Sequence, residues 1–171
     1  MRSTAAFHFT LAILTVVAFC IGVGCVSVNL GGANASKRAT GVQVTNPQKP
    51  FTASAREDVD GAWINEKTGN LISYLSDCQD SSDPSLDSIL QGALMGLSEL
   101  KIDSSESPMV QGREARRVVA VGKVDGVPSK IDILTFKRNH CIYILSYVGV
   151  HKAFDQDHGH FETFLRGFQA P

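Results

Sequence analysis

Between Arg2 and Lys37 the chain carries no Lys, Arg, Asp or Glu. A run of that length without charge cannot be spread over the surface of a small protein without exposing a large apolar area, so it divides the chain into two unlike parts. Residues 11–28 (LAILTVVAFCIGVGCVSV) are its apolar centre, and Arg2 with the amino terminus makes a minimal positive flank. This pattern predicts a segment that enters a translocon as a helix, and hence export. A buried core helix is the alternative, and it needs a polar face or a large surrounding protein, neither of which a chain of 171 residues offers here.

Three fates of this segment are open. Gly22-Val23-Gly24-Cys25 resembles a lipobox, in which small residues precede a cysteine that is lipidated and becomes the mature N-terminus. The resemblance implies lipidation at Cys25 and attachment to the membrane through an N-terminal lipid anchor. Ala33-Asn34-Ala35 is an A-x-A-like site for ordinary secretory cleavage. Retention as an anchor is the third fate, since roughly twenty apolar residues span a bilayer. Each leaves residues 36–171 on the outer side. With no acidic residue in Val26-Ser27, the lipobox resemblance also implies an outer-membrane address in a source that has an outer membrane.

Residues 1–28 therefore read as the targeting segment. Residues 29–56, rich in Gly, Ala, Ser, Thr, Asn and Pro and without a hydrophobic period, read as a flexible tether, with a partly ordered first strand around Val42 and Val44 as the alternative. Residues 57–171 are expected to form a single domain. The formal net charge of −1 supplies no basic excess for nucleic acid, which is not expected as a partner. Of the four cysteines, Cys78 and Cys141 are the pair left in the folded part. In an oxidising compartment such a pair suggests a disulfide, two separate buried thiols being the alternative. The bridge would close a loop of about sixty residues and stabilise by about 4 kcal/mol in the chain-entropy description.

Within the domain, Ala62-Trp63-Ile64 and the run from Leu71 to Leu75, reversed at Lys67-Thr68-Gly69-Asn70, carry a hairpin pattern. Asp83-Pro84 suits a helix start, the carboxylate capping free amides and Pro standing first. Leu86, Ile89, Leu90, Ala93, Leu94, Leu97 and Leu100 follow at spacings of three and four, which predicts one apolar face. Strands are predicted at 115–123, 127–137 and 142–150, joined through Asp125-Gly126 and through Arg138-Asn139-His140. In the last of these, Ile142, Ile144 and Val148 alternate with Tyr143, Leu145 and Tyr147, so both sheet faces call for a cover. The leucine-rich helix and a C-terminal helix bearing Phe161, Phe164, Leu165 and Phe168 provide them. The expected class is α+β, an antiparallel sheet of about five to six strands covered by two main helices. This element order, with residues 69–77 (GNLISYLSD), resembles the PsbP-type α/β/α sandwich over about residues 60–170. That fold occurs in extrinsic photosystem subunits and assorted bacterial lipoproteins, and the resemblance implies binding or scaffolding more than catalysis.

The sequence contains no G-x-S-x-G elbow, H-E-x-x-H, P-loop or G-x-G-x-x-G, and no catalytic residue, metal ligand or cofactor is assigned. His151, Asp155, Asp157, His158 and His160 carry metal-ligating groups. On a helix, however, His158 and His160 point about 200° apart. A polar helix start, its carboxylates favoured by the dipole, is the reading preferred. Asp77, Asp80, Asp83 and Asp87 lack the spacing of a calcium loop and read as caps and solvated acids. Arg113, Arg116 and Arg117 read as an anion-binding strand face or, preferably, a charged sheet edge. Trp63, Tyr74, Tyr143 and Tyr147 line a pocket or, preferably, fill the core. The functional expectation is an exported, membrane-tethered lipoprotein whose non-enzymatic domain binds or scaffolds in the cell envelope, with an envelope protein as partner. The alternatives are a soluble periplasmic or secreted ligand-binding module and an exported enzyme with a scattered, metal-assisted site.

Overall fold

The computed structural model describes residues 37–78 and 83–171. The targeting segment with Cys25, the Ala35 cleavage site, residues 29–36 of the expected tether, and Asp80 lie outside the described residues. Ten elements follow one another: β1 (Thr52–Ala53), β2 (Gly61–Asn65), β3 (Asn70–Asp77), α1 (Leu86–Leu94), β4 (Ser98–Glu106), β5 (Met109–Val110), β6 (Arg113–Val124), β7 (Val127–Arg138), β8 (Cys141–Val150) and α2 (Phe154–Gly167). The strands form one antiparallel sheet in the order β1-β2-β3-β8-β7-β6-β4, with β5 paired to β6.

The long meander β6-β7-β8 is fixed by two tight reversals. Asp125 and Gly126 join β6 to β7 with φ of 49° and 80°, and Asn139 and His140 join β7 to β8 with φ of 49° and 60°. Positive φ at both central residues matches the right-handed strand twist, which is why such two-residue turns close hairpins. β8 then takes β3 along its other side, Leu71 opposite Val148 through Asp77 opposite Ile142.

The alternation in β8 sorts the core into two clusters. Tyr143, Leu145 and Tyr147 join Trp63, Phe136, Phe161 and Phe164 beneath α2. Ile144 and Val148 pack with Val118, Ala120, Ile131 and Ile133 beneath Leu90 and Leu94 of α1. The four aromatics weighed as pocket residues are in the first cluster, Trp63 stacking on Tyr74 at 6.3 Å and Tyr143 on Phe136 at 5.1 Å.

Three expectations need correction. The sheet has eight strands rather than five to six. The additional ones are β1 and β5, of two residues each, and β4, in which all nine residues are exposed, so no alternation of burial exists to reveal it. The leucine-rich helix is shorter than its spacing implied. It starts from Ser85, whose hydroxyl accepts from the Ser88 amide at 3.1 Å, and it stops at Leu94; Leu97 and Leu100 lie beyond it. Asp83 caps nothing and pairs with Lys137 Nζ at 2.6 Å.

The third correction concerns residues 37–56, expected as the second part of the tether. They are laid against the domain. Gln43 and Gln169 exchange backbone hydrogen bonds at 2.9 and 2.8 Å, Val42 and Val44 pack on the α2-side cluster, and Phe51 is buried. The polar composition outweighed three apolar residues too widely spaced to form a period. Among the described residues no helix is long and apolar enough to cross a membrane.

Candidate functional site

Two polar assemblies lie under α2. Asp157, in its first turn, accepts at one oxygen from Asn65 Nδ2 at 2.8 Å, Thr68 Oγ1 at 2.6 Å and Asn70 Nδ2 at 2.8 Å. Asn70 also donates to the Ala153 carbonyl at 2.9 Å, so the β2–β3 turn is bolted to the helix start. Burial works to raise the Asp157 carboxyl, and the three donors outweigh it and hold the group below the ordinary carboxylate range. Asn70 lies close against β8. A Cβ on Gly149 would stand 1.9 Å from its amide oxygen, and glycine is required there.

The second assembly centres on Asp132, with no exposure at all. Arg117 donates to it through Nε at 2.9 Å and Nη2 at 2.6 Å, and His158 Nε2 stands 2.8 Å from its Oδ2. Arg117 Nη2 also donates to Glu162. Burial pushes the Asp132 carboxyl up, while the hydrogen bonds from His158 and Arg117 prevail and keep it below the usual range. The same bonds, to Asp132 foremost, hold Arg117 in its charged form.

Asp132, His158 and Glu162 present ligand atoms within 4.8 Å of one another, a set that can hold a metal ion. Their chemistry argues otherwise, because Arg117 spans both carboxylates and engages the oxygens a divalent ion needs. The assembly is a hydrogen-bonded ion network that ties β6 and β7 to α2. The five residues weighed as metal ligands disperse, as the preferred reading of a polar helix start had it: His158 joins Asp132, Asp157 joins the β2–β3 turn, Asp155 faces Lys130 at 3.7 Å, His160 lies against Phe51 at 5.4 Å, and His151, before α2, is exposed. Asp132 and Glu162 were not anticipated. A carboxylate within Ile131-Asp132-Ile133-Leu134 was the available signal, since a charge in an apolar strand demands a partner.

Two adjoining open concavities lie at the end of the sheet where β3 and β7 finish and β6 and β8 begin, and others lie against α2 and at the opposite end. A cleft of about 580 Å³ is lined by Arg113, Lys137, Arg138, Asn139, His140 and Cys141, with Asp83 as the one acidic side chain among the described residues of its lining. A second, of about 340 Å³, shares Asn139, His140 and Cys141 and adds Lys37 and Arg38. Cys141 is disulfide-bonded to Cys78, which fastens β3 to β8 beside both. The arginine trio therefore separates: Arg117 is taken by Asp132, Arg116 by Asp87 at 3.2 Å and Glu114 at 2.6 Å, and Arg113 opens onto the cleft.

A helix on each face of this antiparallel sheet, with the strand order described, defines a PsbP-like α/β/α domain. No family model and no curated protein matches the chain. Among solved structures it is similar to a Pseudomonas aeruginosa protein of unknown function, at a TM-score of 0.51 and 12% identity over 80% of this chain and 85% of that one. CyanoP, the cyanobacterial PsbP of Synechocystis sp. PCC 6803, aligns at 0.50 and 11% identity over 83% of this chain and 99% of its own. LpqN, involved in cell envelope biogenesis of Mycobacterium tuberculosis, aligns at 0.50 and 12% identity over 77% and 93%. Likeness at such identity shows the fold and nothing finer.

Proposed function

We propose that the chain is an exported, membrane-tethered lipoprotein whose PsbP-like domain binds an envelope component without catalysing a reaction. The observation that carries the reading is the Cys78–Cys141 bridge in a domain preceded by a long uncharged apolar run. Bridges of this kind persist in oxidising compartments, and the run is the kind of segment that delivers a chain there. The polar assemblies under α2 are engaged in holding strands to helix. The cationic clefts, the larger of about 580 Å³, stand open to a ligand. LpqN, similar in fold, works in envelope biogenesis, which agrees with this setting.

The anchor is tested by mass spectrometry of the mature N-terminus, with and without Cys25→Ala or globomycin. A lipid-modified N-terminus at Cys25, lost under both treatments together with membrane fractionation, is expected. Unchanged processing and fractionation under both would sink the lipoprotein reading. The soluble module is the second reading: the described body is packed from residue 37 on, so cleavage after Ala35 leaves it whole, as a start at Cys25 does. A mature start at Ser36 selects it.

A further inference from the structure

We infer that the end of the domain around the Asn139–His140 reversal is a docking surface for the phosphate headgroups of anionic lipids, in the membrane to which the chain is tethered. The inference deepens the proposed function and rests on its tether.

Charge is the first argument. Among the described residues five cations, Lys37, Arg38, Arg113, Lys137 and Arg138, line the two adjoining clefts, where Asp83 is the one acidic side chain and Pro171 offers an oxygen that accepts from Arg138 and Asn139. Asp83 is spent on Lys137, and Arg38 faces Asp60 at 3.4 Å. Arg113 and Lys37 are exposed and have no side-chain partner among the described residues. Guanidinium and ammonium groups left open around a concavity suit phosphate oxyanions, to which arginine donates in parallel pairs. The depression at the opposite end of the sheet has no such excess among its described lining, which holds one cation, Arg56, and one carboxylate, Asp125.

The reversal itself is the second argument. At the far end the β6–β7 turn uses Asp125-Gly126, the dipeptide such turns favour. At the cationic end the second position, φ 60°, is His140 rather than glycine, and the exposed ring borders both clefts. The left-handed position that the far reversal gives to glycine thus presents an imidazole between the two clefts.

Connectivity supplies the third. The chain enters the domain at this same end, since the Cys78 amide donates to the Lys37 carbonyl at 2.8 Å. Eleven residues separate Cys25 from Lys37, a length that reaches at most about 40 Å fully extended. A chain that enters at the cationic end lets that end reach the bilayer with any length of the spacer. The far end would require nearly all of it to run back past a domain of similar diameter. Juxtamembrane cations near an anionic surface gain affinity with each added charge and lose it to salt.

The test uses the full chain purified from membranes and mixed with vesicles of phosphatidylcholine alone or with phosphatidylglycerol added. Amide exchange is followed at residues 138–141 and at the far reversal, 124–127. The expected result is protection of residues 138–141 on the anionic vesicles only, reversed by salt, with 124–127 unchanged. Arg113→Gln and Lys37→Gln, neither of which removes an internal contact, should each lower that protection about fivefold and together about twenty-five-fold. Equal exchange on both vesicle types overturns the docking, and so does the same protection from inorganic phosphate without vesicles, which would mark a site for a free oxyanion. Flotation with neutral vesicles reads the anchor separately. A chain that floats with residues 138–141 unprotected on anionic vesicles keeps its tether and loses the docking. One that fails to float, yet gains salt-sensitive protection on anionic vesicles, keeps the docking and loses the tether.

Discussion

Asp157 and Asp132 show how two carboxylates survive inside a domain of this size. Each is costly to bury alone, and each is surrounded by donors, so the charged form is the stable one. Both are held below the ordinary carboxylate range, which means the unfolded chain binds protons more readily than the folded one in acid. The stability they give is complete above the unfolded carboxylate value of about 4 and is lost as pH falls through the depressed folded values. Urea midpoints should therefore be level between about pH 7 and about pH 5 with respect to these groups and drop below about pH 4. Asp157→Asn should lower the midpoint at neutral pH by about 2 kcal/mol of stability, since three donors lose a charged acceptor, and should flatten the acid drop. An acid drop as steep in the variant as in the parent would show that Asp157 does not contribute to it. The sequence displayed these acids but not their partners. Arg117 and His158 lie 15 and 26 positions from Asp132, and only the sheet register and the placing of α2 bring them together.

The elements differ in how openly the sequence announces them. β6, β7, β8 and the β2–β3 hairpin are β-branched and aromatic apolar runs set between turn residues, and α2 sets Phe154, Phe161 and Phe164 on one face. β4 announces nothing, because a strand exposed on both faces has no reason to alternate. Its Glu99, Lys101, Asp103 and Glu106 instead suit the sheet edge it forms, where charge and its two register shifts discourage pairing with another chain. The β7–β8 reversal yields a prediction at this scale. His140→Gly relieves a left-handed side-chain penalty of about 1–2 kcal/mol and returns part of it as unfolded-chain entropy, for a net gain of about 0.5–1 kcal/mol. A thermal melt should rise by a few degrees. A fall would show that the imidazole makes contacts worth more than the strain.

For the whole molecule, the bridge between Cys78 and Cys141 joins positions 63 apart. The chain-entropy description gives about 4 kcal/mol for a loop of that length, a large share of the stability of any single domain. The pair Cys78→Ser with Cys141→Ser should lower the denaturant midpoint accordingly, and reductant should do the same to the parent but not to the double variant. Reductant that leaves the parent unchanged would mean the thiols are not bridged in the protein.

That bridge also decides what happens when the chain is drawn upon from its N-terminal side, as by a processive protease. Residues 37–56, β1, β2 and β3 can be unravelled one after another until Cys78 is reached. There the load crosses the sulfur link directly to Cys141, bypassing α1 and β4 through β7, which lie inside the covalent ring. Those five elements can never be pulled straight while the link is intact, so traction is capped at a fixed extension and most of the sheet is mechanically sheltered.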